Sequence, residues 1–81
     1  MTIQLINGQF SVRESLELLT QFIQVKIKFH EAKITSQSDE ADIKMREGRI
    51  KELQNDLHQA RQHINTLHGS LNVQASVTLT N

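Results

Sequence analysis

The chain has 81 residues, enough for a single domain spanning 1–81, and its nine basic residues balance nine acidic ones, so no net field draws it toward nucleic acid or an anionic membrane. It contains no cysteine, which excludes disulfides, thiolate metal sites and thiol redox chemistry. A core this small is marginal, because a small body buries a smaller share of its surface; with cross-links excluded, oligomerisation is the expected supplement.

Met1-Thr2-Ile3-Gln4-Leu5 lacks the basic flank and apolar run of a signal peptide. No window approaches the roughly 18 apolar residues of a membrane span, so a cytoplasmic chain is expected. Residues 2–6 alternate as a short strand and stop at Asn7-Gly8, a turn signal. Ser11-Val12-Arg13-Glu14 then has the form of a capping box, in which the serine hydroxyl and the glutamate carboxylate each satisfy a free backbone N–H. The spacing predicts a first helix over about 12–34.

Placed at about 100° per residue, the apolar side chains of that helix fall on two faces. Val12, Leu16, Leu19, Ile23, Ile27 and Ile34 form one; Leu18, Phe22, Val25, Phe29 and Ala32 form the other. The segment Thr35-Ser36-Gln37-Ser38 breaks the pattern, and Ser36 or Ser38 can cap a second helix over about 39–68. Acidic Asp39, Glu40 and Asp42 at its start suit the helix dipole, as Lys28, His30 and Lys33 suit the end of the first helix, and attraction between the two clusters is expected to help close the bend.

The second helix carries the clearest pattern in the chain. Ile43, Ile50, Leu57, Ile64 and Leu71 recur every seven residues, with Leu53, Ala60 and Leu67 at the intermediate positions and Arg46 the one polar exception. Such a stripe predicts a coiled-coil-like seam against the first helix. Glu40 with Lys44, Asp42 with Arg46, and Glu47 with Lys51 form a solvated face. His68-Gly69 supplies the stop, with Gly69 in the left-handed conformation just past the helix. Residues 72–79 alternate as a second strand, and a disordered tail is expected beyond about 79.

The fold class that follows is mainly α: an antiparallel helical hairpin with short terminal strands that emerge together and pair. Its core should comprise Leu16, Leu19, Ile23 and Ile27 against Ile43, Ile50, Leu53, Leu57, Ala60, Ile64 and Leu67. One narrow stripe can cover only one of the two faces on the first helix. Leu18, Phe22, Val25 and Phe29 are therefore expected to form an interface, either in a homodimer that makes a four-helix bundle with a small sheet or with a partner protein's helix.

Residues with the chemistry for catalysis do not assemble in the sequence. His58, His63 and His68 are spaced five apart, which rotates them off any shared helix face, so no metal site is expected. The serines sit in caps, turns and the tail; the three glycines are scattered and make no phosphate loop. A non-enzymatic interaction or structural module follows, without cofactor or small-molecule substrate. The alternative is a small nucleic-acid-associated regulator using a basic end built from Lys26, Lys28, His30, Lys33, Arg46, Arg49 and Lys51, against which stand zero net charge and interleaved acids.

Overall fold

The computed structural model describes residues 1–81 as a strand β1 (Thr2–Ser11), a helix α1 (Val12–Lys33), a second helix α2 (Glu40–Ile64) and a strand β2 (Ser70–Thr78). The helices form the expected hairpin, and the two strands pair antiparallel into a two-stranded ribbon. No helix is long and apolar enough to cross a membrane.

Strand β1 is longer than the sequence indicates. It runs through Asn7-Gly8 without turning, Gly8 opposite Val73, and reaches Ser11 opposite Ser70. Gly8 does not adopt positive φ. The ring of Phe10 lies over it, so that a Cβ there would sit 3.7 Å from the ring, and this cover restores packing that a strand glycine otherwise lacks. Leu5 has no partner: Gln4 faces Ser76 and Ile6 faces Ala75, so β1 holds one extra residue at a bulge. The bulge has a clear cause. Ile3 and Ile6 are three apart, whereas their partners Val77 and Ala75 are two apart, and only an inserted residue keeps all four on one face.

Ser11 ends β1 and caps α1 at the same time, so no loop separates them. Its extended backbone (φ −67°, ψ 164°) suits both roles. Glu14 N–H donates to the Ser11 hydroxyl oxygen at 3.0 Å, and Ser11 N–H donates to the Glu14 carboxylate at 3.0 Å, completing the capping box. That backbone bond, and then the serine hydroxyl, hold the Glu14 carboxyl below its ordinary value of 4.5. The folded chain therefore binds the Glu14 proton less readily than the unfolded one. The resulting stability is fully present above about 4.5 and is lost as pH falls through the lower folded value. In thermal melts between about pH 5.5 and pH 3, Glu14→Gln should lose less midpoint than the parent chain. Equal losses would mean that the carboxylate charge does not contribute to the cap.

At the bend, Ser38 does not cap α2. Its hydroxyl accepts from Thr35 N–H at 3.0 Å and donates to the Lys33 carbonyl at 3.3 Å, tightening the loop, while Asp39 caps α2 by accepting from Asp42 N–H at 2.7 Å. No ion pair joins the acids and bases across the bend. Glu40 pairs with Lys44 (3.2 Å) and Asp42 with Arg46 (3.5 Å) along the same helix, the i,i+4 geometry being closer to hand. Glu47 and Lys51 form no ion pair; Arg49 instead reaches Glu52 at 3.4 Å.

Helix α2 ends at Ile64, not near residue 68. Thr66 closes the end: its N–H donates to the His63 carbonyl at 3.0 Å and its hydroxyl to the same oxygen at 2.6 Å, which satisfies a free carbonyl and stops further α-helical bonding. Leu67 and Leu71 thus continue the heptad in sequence but lie outside the helix. Gly69 adopts φ +75° as expected, four residues beyond the Asn65 cap, where it redirects the chain into β2.

The core is thin. Ile27, Leu57 and Ile64 are the buried apolar residues, at 4%, 6% and 8% exposure. Leu16, Leu19, Ile23, Ile43, Ile50, Leu53, Ala60 and Leu67 are half-buried. The Cα trace measures 48 × 32 × 14 Å, a flat body in which two helices and a two-stranded ribbon enclose few side chains between them.

Candidate functional site

The outward face of α1 is the first candidate. Phe22, Val25 and Phe29 are exposed at 40%, 68% and 56%, with Leu18 half-buried beside them. α2 packs against the Ile27 side of α1 and leaves this row without cover. Lys33 partly screens it: its Nζ lies 5.6 Å from the centre of the Phe29 ring, a cation–π distance. At the β1 end, Phe10 and Leu18 border a shallow depression of about 180 Å³ together with Glu14, Glu17 and Gln21. The apolar row thus extends from the helix toward the ribbon.

The ribbon is two-faced. Cross-strand partners share a face, so Ile3 with Val77, Ile6 with Ala75, Gly8 with Val73 and Phe10 with Leu71 make one side apolar. Thr2 with Thr78, Gln4 with Ser76, Asn7 with Gln74 and Gln9 with Asn72 make the other wholly polar. Near the helices the apolar side is half-buried; at the far end Ile3, Leu5 and Val77 are exposed. Where ribbon and hairpin meet, an open cleft of about 540 Å³ is bordered by Ser15 and Leu19 of α1, His63 and Ile64 of α2, Leu67 of the turn and the start of β2.

Polar groups are largely committed to structure. Ser15, the one buried polar residue, donates its hydroxyl proton to the Ser11 carbonyl at 2.8 Å. Arg46, the polar member of the stripe, bridges the helices by donating from Nη1 to His30 Nδ1 at 3.2 Å. A guanidinium can only donate, so Nδ1 is the acceptor in this contact. Arg46 Nε lies 3.5 Å from Asp42 Oδ2, an ion-pair distance without hydrogen-bond alignment. These contacts explain how a charged residue occupies a seam position. His58, His63 and His68 are exposed, and no three His, Asp or Glu side chains gather as a metal site would require. Of the basic end, Arg46 and Arg49 are paired with acids and Lys33 sits over Phe29.

Comparison with protein families, with curated proteins and with solved structures finds no match to this chain. The site is therefore read from its own geometry. Sequence reasoning singled out Leu18, Phe22, Val25 and Phe29, and the structure places them in one row on α1. It did not single out Phe10 or Ser15, and it assigned Leu71 to the helical stripe, whereas Leu71 lies in β2 opposite Phe10. The alternation from Val73 onward is visible in the sequence. Phe10 was not legible, because its strand was expected to stop before it.

Proposed function

We propose that this chain is a non-catalytic interaction or structural module that works as a homodimer, self-associating through the outward apolar face of α1, with the α2 stripe holding the hairpin that presents it. One observation carries the reading. The single chain exposes 6373 Å², whereas a compact folded protein of 9.3 kDa exposes about 5,000 Å². The excess of roughly 1,400 Å² is close to what each subunit of an obligate homodimer buries. Exposed aromatic and aliphatic side chains on α1 and on the ribbon form part of that surface.

In support of the non-catalytic reading, the cleft is open and the Ser15 hydroxyl on its border already donates to the Ser11 carbonyl. The test is the solution mass. Sedimentation equilibrium at micromolar concentration should give twice 9.3 kDa. A monomer at all accessible concentrations would remove this reading.

A further inference from the structure

We propose that the free edge of β2 pairs antiparallel with β2 of a second copy, joining two ribbons into a continuous four-stranded sheet. This rests on the homodimer reading and names a second part of its contact surface.

The first observation is the cleft. It is bordered by Ser70, Leu71, Asn72, Val73 and Gln74, five consecutive residues whose side chains alternate between the two faces, and by no residue of β1. A hollow over one face would meet every second residue and would reach across to β1. This hollow therefore runs beside the outer edge of β2. It is the space a neighbouring strand would occupy, with Leu19, Ile64 and Leu67 as its floor.

The second observation is that β2 lacks every device that normally keeps an exposed edge from pairing. Edge strands of monomers carry charges, prolines or bulges. All nine basic and nine acidic residues lie between Arg13 and Arg61, and the chain has no proline, so both strands are uncharged and unbroken. The only bulge is on β1. The β1 edge is distorted at Leu5, whereas β2 presents nine regular residues.

A second copy is the occupant that fits. An isolated two-stranded ribbon is marginal in water, and a two-fold axis across β2 makes the edge its own complement. Register favours it as well. With the axis at Asn72, Leu71 lies opposite Val73 of the second copy and Ser70 opposite Gln74, so the apolar face stays apolar and the polar face polar across all four strands. The excess surface also exceeds the roughly 800 Å² per partner of a standard-sized interface, which leaves room for the strand edge beside the α1 face.

Because the chain has no cysteine, single cysteines can be placed at Ser70, Asn72, Gln74 and Ser76, all exposed on the polar face, and spin-labelled. Antiparallel pairing about a two-fold axis gives label separations with a minimum at one β2 position, rising about 7 Å for each residue away from it. Electron paramagnetic resonance on the full chain should read that V-shaped profile. A dimer whose separations show no minimum within β2 overturns the strand pairing and leaves the α1 interface standing. A chain that sediments as a monomer overturns both.

Discussion

Replacing Phe22 and Phe29 together with aspartate should weaken self-association by about 1,000-fold or more. Each ring is roughly half exposed in the single chain, so association can remove about 1 kcal/mol of apolar surface per ring from water. A symmetric dimer contains four such rings, which gives ~4 kcal/mol, or about three powers of ten in the dissociation constant. The carboxylates add to this, because an unpaired charge enclosed in an apolar contact is strongly unfavourable. Sedimentation equilibrium of the double variant should report a mass near 9.3 kDa at concentrations where the parent chain is dimeric. An undiminished mass would place the contact elsewhere. Glu40→Gln and Lys44→Gln form the matched control. They break an exposed ion pair on α2, 3.2 Å in length, whose contribution to stability is small.

Leu57→Ala should have the largest effect on folding. Truncating a buried leucine costs about 2–5 kcal/mol through lost transfer energy and the cavity left behind. Leu57 is one of only three buried apolar residues, so few neighbours can shift to fill the gap, and total stability in a chain of this size is small. The melting midpoint followed by circular dichroism should fall by roughly 10–30 °C, to the point where part of the chain is unfolded at room temperature. Met45→Ala, at an exposed position of the same helix, should change it little. If the two substitutions were equivalent, the seam between the helices would not be the core.

Much of the architecture was legible because local physics and tertiary packing agree there. The capping box at Ser11 and Glu14 is a contact between residues three apart, and a contact that short is visible in sequence. The α2 stripe at Ile50, Leu53 and Leu57 was legible for a related reason: burial on one side of a helix imposes a period. The failures cluster where two elements meet. Asn7-Gly8 reads as a turn, yet the pairing of β1 with β2 and the ring of Phe10 hold it extended. Leu67 keeps the heptad spacing, yet the helix ends before it, with Asn65 as the cap and Thr66 bonded to the His63 carbonyl. Arg46 looks like a defect in the stripe until His30, sixteen residues away, is seen to accept from it.

The sequence by itself determined the helical hairpin, the strand at each end, and the presence of two apolar faces on α1, because each of these follows from periodicity and capping within a short stretch of chain. Only the tertiary structure decided the length of the ribbon, its bulge at Leu5, the cleft beside β2 and the thinness of the core. Those features depend on which residues lie opposite one another across the sheet and on how much surface two helices and two strands can cover, and neither quantity is encoded in any local segment.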